Sequence, residues 1–204
     1  MKKKTKIPNA EERIMKAAVK IFHRKGVFGA RMQEIADEAG IAKSMLHYHY
    51  DTKEKLFEAV FEHTVIQIFP KVNAILASDL PLFDKIRRFV DRYTEILIEH
   101  HYSAAFVLAE LSYNSEKAVE MMVTNSGWNP VIIAEQIKDE IKNGRIISTD
   151  PRILVLNMFA LTVFPFVGIA MHLKRFKMTQ KEYFTFLRER KTIISETIIN
   201  SIRK

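Results

Sequence analysis

The sequence predicts an all-α protein, with an N-terminal three-helix helix-turn-helix head on a C-terminal helical bundle and about nine helices in total. Three observations carry this expectation. The chain has only 6 Gly and 6 Pro in 204 residues, too few for the many tight turns of an all-β fold. Its apolar residues recur at helical rather than alternating spacing. Hydrophobic residues make up 48% of the chain, enough to fill a core behind long helices joined by short loops.

Each element has its own signals. Asn9 is a suitable N-cap, and Glu11 and Glu12 place negative charge where the helix dipole favours it. Ile14, Ala18, Ile21 and Phe22 follow at helical spacing, and Gly26 is expected to end the helix. A second helix is expected over about 32–39, burying Ile35, Ala36 and Ala39, with Gly40 as the turn. A third is expected over about 43–50, with Leu46 and Tyr50 stacked on its inner side. Asp51 or Thr52 should cap the fourth, whose apolar residues are Leu56, Phe57, Val60 and Phe61. Beyond Pro70, five helices are expected: about 81–100, 102–113, 115–143 (broken near Gly127–Pro130), 150–174 and 179–202. Asn143-Gly144 is a stop signal and Asp150-Pro151 a start signal, since proline at the first helical position needs no free N–H. Thr179 and Glu182 have capping-box spacing. The expected division is a helix-turn-helix head over 1–52 and a larger helical body over 53–204.

Charge separates these regions. Residues 1–55 hold 13 Lys/Arg against 7 Asp/Glu, whereas the rest holds 19 against 17. Net charge is therefore +6 in the first quarter and only +2 in the remainder. A polyanion partner for the first quarter is the simplest reading, because phosphate neutralisation dominates nucleic-acid affinity. The chain has no cysteine, which excludes disulfides, thiolate metal sites and cysteine catalysis. The basic stretch Met1–Lys6 leads into a charged helix and does not read as a signal peptide, so the expected location is cytoplasmic.

The third helix carries the functional signal. Leu46 and Tyr50 suffice for packing, leaving Lys43, Ser44, His47 and Tyr48 to point outward. A polar, aromatic and basic outer face can donate to phosphates and reach base edges in the major groove. The alternative is an ordinary solvated surface, but exposed tyrosine and histidine beside lysine are less usual than a Glu/Lys surface.

The stretch from Ile35 to Leu56, IADEAGIAKSMLHYHYDTKEKL, resembles the TetR family of transcriptional regulators. The family pattern is roughly IA-x-x-AGVS-x-G-x-LY-x-HF-x-SK-x-x-L. Matches fall at Ile35, Ala36, Ala39, Gly40, Leu46, His49, Lys53 and Leu56, with Ile41 and Tyr50 as conservative replacements. The preceding segment AAVKIFHRKGVFGA is similar to the family's first helix, so the likeness covers about the first 60 residues. It implies that Lys43, Ser44, Met45, His47 and Tyr48 face DNA and that Lys53 clamps a phosphate. His49 either joins them or supports the motif. There are departures: Ala30 and Arg31 stand where the family often has threonine, and Ala42 where it often has a capping serine. Met45 and His47 replace its common Thr and Tyr. Arg31 offers a stronger phosphate contact than a hydroxyl. Imidazoles at positions 47 and 49 also introduce a pH-sensitive element. The Lys2-Lys3-Lys4 tail is either a sequence-independent phosphate contact or simply solvated.

The resemblance further implies a body that binds a small effector and forms a homodimer through its last two helices, presenting two heads to a palindromic operator. Repression relieved by an apolar or aromatic effector is the leading expectation. Tyr93, Phe106, Trp128 and Phe159 are candidate pocket residues, although aromatics at helical spacing are more often core. Residues 153–171 carry no charge, a length that would span a membrane, but Asn157, Pro165 and Gly168 argue for burial against the core and a partner subunit. No catalytic residue, metal or cofactor is expected. There is no phosphate-cradling glycine loop or H-E-x-x-H helix, and the adjacent His100 and His101 point in different directions on a helix. Two alternatives remain: a DNA-binding dimer without an effector, and an enzyme built on the helical body.

Overall fold

The computed structural model describes residues 9–113 and 115–204, so the Lys2-Lys3-Lys4 tail lies outside the described residues. The chain is all-helical, with eleven helices among those residues rather than about nine. It forms two compact units, one running through Thr64 and the other comprising Val65–Lys204. The division therefore falls inside the fourth helix, whereas the sequence placed it at that helix's start.

In the first unit, α1 (Ala10–Gly29) opens with a capping box. The Glu12 amide donates to the Asn9 side chain at 2.8 Å, and the Asn9 amide donates to the Glu12 carboxylate at 3.3 Å. Its inner face buries Ile14, Ala17, Ala18, Ile21 and Phe22. Gly26 breaks the helix where the sequence placed its end, with one further turn reaching Gly29. The next helix, α2 (Met32–Ala39), buries Ile35, Ala36 and Ala39, and the small side chains of the last two let it approach α1 closely. Gly40 ends it at φ 64°, a left-handed conformation that disfavours any side chain, and its amide donates to the Ala36 and Asp37 carbonyls. Arg13 fixes the turn from α1 by donating to the Gly40 carbonyl at 2.9 Å.

Next come α3 (Lys43–His49) and α4 (Lys53–Leu76). Thr52 rather than Asp51 caps α4, accepting from the Lys55 amide at 3.2 Å, while Asp51 pairs with the Lys55 ammonium at 3.1 Å. Phe57 meets Phe22 edge-on at 5.2 Å, which draws the start of α4 into the first unit.

In the second unit α4 continues through Pro70, where the sequence analysis placed a boundary. Interior proline costs about 3 kcal/mol. Ile68 and Phe69 before it, and Val72 and Leu76 after it, are all buried and offset that cost. The remaining helices are α5 (Leu82–Glu99), α6 (Ser103–Tyr113), α7 (Ser115–Ser126), α8 (Val131–Lys142), α9 (Pro151–Val167), α10 (Ile169–Phe176) and α11 (Gln180–Asn200). Two breaks raise the count from nine: one across 127–130 and one at Gly168, where α9 and α10 bend by 72°. No single helix among the described residues is long and apolar enough to cross a membrane.

Three caps read from sequence are formed. Asp150 accepts from the Arg152 amide at 2.9 Å with Pro151 in the first turn, Thr179 and Glu182 complete a capping box, and α8 stops at Asn143-Gly144. Pro165, inside α9, lacks the amide that would bond the Leu161 carbonyl, and Arg190 of α11 donates to that carbonyl at 2.9 Å instead. Extensive packing of α5 on α11 forms the spine of this unit; α5 buries Phe89, Tyr93 and Leu97 among others, and α11 buries Tyr183, Leu187 and Ile194. Ion pairs edge it: Arg188 to Glu95 at 3.1 Å, Lys191 to Asp91 at 3.0 Å and to Glu95, and Arg87 to Glu196 at 2.8 Å.

Candidate functional site

The first unit offers a polar helix face. Only Leu46 of α3 is buried; Lys43, Ser44, Met45, His47, Tyr48 and His49 are all exposed. Leu46 therefore anchors a helix whose other side chains are available. Tyr50 is half-buried but caps the helix rather than ending its last turn. Tyr48 is 87% exposed, and its ring meets that of His49 edge-on at 5.6 Å. So large an exposed aromatic adds nothing to the core and is available to a partner.

His47 is less free than the sequence implied. Its Nδ1 lies 3.3 Å from the Asp51 carbonyl oxygen, which can only accept, so Nδ1 is the donor of that bond. Ala42 makes no side-chain cap, as its methyl group requires. Arg31 stands exposed at the N-cap of α2, and Lys53 is half-exposed at the first position of α4. Near Arg31, Lys25 bonds Glu34 at 2.7 Å, and that hydrogen bond, with smaller contributions from the Arg31 backbone and charge, holds the carboxyl below its ordinary range.

The second unit offers a cavity of about 390 Å³. Tyr93 of α5, Trp128 of the loop before α8 and Phe159 of α9 line it, three of the four residues expected there. Their rings interlock: Trp128 lies 5.1 Å from Phe159 and 4.9 Å from Phe69, and Tyr93 lies 6.0 Å from Phe159. Phe106 is buried but does not line the cavity. Its helix presents Ala104, Val107, Leu108 and Leu111, spaced i, i+3, i+4, i+7, and residue 106 falls off that face.

The sequence analysis missed Ser103 and this apolar face of α6. The spacing was visible, but α6 is apolar on several sides and gave no direction. Trp128 is set by Asn73, whose side-chain amide donates to the Gly127 carbonyl and accepts from the Asn129 amide at 3.2 Å. Gly127 has φ 64°, so this turn, too, needs glycine. Burial pushes the Tyr93 phenol well above its ordinary range, and no charged side chain lines the cavity.

The first unit is thus a helix-turn-helix with an exposed polar face on α3, and the second a helical unit containing an apolar cavity. Residues 14–60 match the model of the family described as bacterial regulatory proteins, tetR family. Relatives include the HTH-type transcriptional activator FasR of Mycolicibacterium smegmatis, 29% identical over 120 residues, or 58% of this chain and 54% of that protein. The HTH-type transcriptional repressor NicS of Pseudomonas putida is 39% identical over 69 residues, or 34% and 32% of the two chains. The chain thus spans about half or less of the length of these relatives. The fold is shared with the transcriptional regulator FadR of Bacillus subtilis, solved in complex with stearoyl-CoA, at a TM-score of 0.66 and 16% identity over 96% of that chain and 91% of this one. These relatives are transcriptional regulators.

Proposed function

We propose that the chain is a DNA-binding transcriptional regulator that acts in the cytoplasm as a homodimer, represses by occupying a palindromic operator, and releases it on binding a small, largely apolar effector. One observation carries the DNA-binding reading: within the family-matched segment, α3 buries Leu46 alone and exposes every other member of the row from Lys43 to His49. Ser44, Met45, His47 and Tyr48 are positioned to meet base edges, and Arg31, Lys43 and Lys53 to meet phosphates, with His49 beside them.

Dimerisation is supported by an apolar stripe on the last helices. Ile153, Leu156, Phe164 and Val167 of α9, Met171 of α10 and Ile193 of α11 are large, apolar and exposed in the single chain. Such a stripe marks an interaction surface, and a two-fold partner would align two α3 helices for half-sites about 34–36 Å apart. The cavity supports an effector over the alternative of a dimer without one, and a ligand with a long apolar part is held by a protein of the same fold. Effector and operator would then oppose each other through reciprocal coupling. Repression is preferred to activation because blocking a promoter requires only occupancy.

The test is binding of the purified protein to its own upstream DNA across a salt series, beside a Tyr48→Ala, Lys53→Ala double variant. The expected result is dimeric binding that weakens with salt and collapses in a variant that still folds. Equal binding by the folded variant would overturn the assignment of the reading face.

A further inference from the structure

The cavity in the second unit is more specific than its apolar lining suggests. Its walls are hydrocarbon and aromatic except at two deeply buried polar points, Tyr93 and Ser103. Ser103 is already committed, because its hydroxyl donates to the His100 carbonyl at 2.6 Å and can only accept from anything else. Tyr93 is 5% exposed, and its hydroxyl has no hydrogen-bond partner among the described residues. Trp128 is only half-buried. Largely buried phenols usually find a partner, and this oxygen, which is not wholly closed off, can take one from whatever fills the cavity. A Tyr93 hydroxyl at the wall of a cavity, with its ring fixed by Phe89 at 5.4 Å and Phe159 at 6.0 Å, is a donor held in place for something absent from the chain itself.

We infer that the effector is an electrically neutral, mainly apolar molecule with one hydrogen-bond acceptor, such as an ester, ketone or aldehyde oxygen, seated against the Tyr93 hydroxyl. This rests on the reading of the body as an effector domain. Size follows from volume: an apolar cavity of about 150 Å³ accommodates benzene, and by that ratio this one admits about fifteen non-hydrogen atoms. Neutrality follows from the lining, since an ionised group entering this space would lose its hydration with no opposite charge to meet it. One acceptor follows from Tyr93, the one uncommitted donor of the lining that is almost wholly buried. The surrounding rings supply the remaining contact area without fixing direction, so Tyr93 sets the orientation of the ligand.

The chain's only tryptophan is Trp128, in the cavity wall, so its emission reports occupancy without any assay of DNA. The experiment titrates full-length wild type and Tyr93→Phe with four probes that share an alkyl skeleton: methyl decanoate, decane, decanoate and decylamine. The ester is expected to bind wild type most tightly, with decanoate and decylamine weaker by roughly a hundredfold or more. Tyr93→Phe is expected to lose roughly tenfold for the ester and nothing for decane. Without ligand, Tyr93→Phe should melt no lower than wild type, because no bond within the chain is removed; a purely structural tyrosine would show the reverse. Unchanged ester affinity in Tyr93→Phe, tighter binding of decanoate than of the ester, or no emission change with any probe would overturn the inference. The expected ranking combined with an unaltered affinity for DNA would sustain the ligand class and overturn the effector role.

Discussion

The two units treat their informative side chains in opposite ways. The first spends one buried leucine to hold α3 and exposes the rest, so its candidate contacts are polar, basic and solvated. The second lines a cavity with aromatics and also carries an exposed apolar stripe. In the first unit, then, stability and recognition occupy different faces of one helix. In the second they share the same residues, because Phe159 both packs on Phe89 at 4.9 Å and lines the cavity. Substitutions should therefore separate folding from binding in the first unit and couple them in the second.

The largest expected effect attacks that separation at its single anchor. Leu46→Ala removes a fully buried side chain and should cost about 2–5 kcal/mol in urea unfolding of the first unit, with loss of DNA binding. Retained stability would mean that α3 is held by something besides Leu46. Next is the apolar stripe. Ile193 is 68% exposed, so Ile193→Glu should leave the melting of a single chain unchanged while shifting sedimentation from dimer to monomer. A dimer that persists would place the interface elsewhere.

Tyr48→Ala should weaken operator binding by roughly tenfold or more without lowering the melting temperature, since the ring meets only its neighbour His49. A parallel loss of stability would remove the distinction between anchor and reading face. The smallest effect tests ordinary helix capping. Thr179→Ala removes the cap of α11 and should cost about 1 kcal/mol, read from the unfolding midpoint.

Acid should act mainly on the second unit. At Glu95 burial raises the carboxyl pKa, but hydrogen bonds from Lys191 and Arg188 outweigh it and hold the value down. Arg87 similarly lowers Glu196, and hydrogen bonds from the Arg152 side chain and amide lower Asp150 to about 2. Carboxyls depressed in the folded state stabilise it above their unfolded titration range, and that contribution disappears as pH falls through the folded values. Thermal melts should therefore decline from about pH 4.5 towards about pH 2. Lys191→Met and Arg188→Met together should flatten the Glu95 part of that decline.

Legibility in the sequence followed the same contrast. Caps at Asn9, Asp150 and Thr179 were readable because each is a local chemical requirement of a helix start. The small residues Ala36 and Ala39, the turn at Gly40 and the buried Leu46 were readable because an amphipathic helix separates its faces by period, whereas Tyr50, expected beside Leu46, is only half-buried at the helix end. The break at Gly168 was not, because the flanking run from 153 to 171 is apolar on all sides and has no period to interrupt. Continuation through Pro70 depended on burial of residues distant in sequence. Compensation of Pro165 by Arg190 likewise joins positions far apart in the chain. The cavity shows the limit most sharply. Tyr93 and Phe106 have similar sequence signatures, both are buried, and only one meets the open space. Periodicity reports which face turns inward but not whether the volume it meets is filled.

The central claim, that the exposed row on α3 reads DNA, is tested most directly by selecting bound sequences from a random duplex pool with the full-length protein at low salt. The account predicts enrichment of an inverted repeat whose half-sites lie about one helical turn apart, and a change in the preferred half-site when Tyr48 is replaced. Absence of any enriched sequence, or the same half-site selected by wild type and Tyr48→Ala, would contradict it.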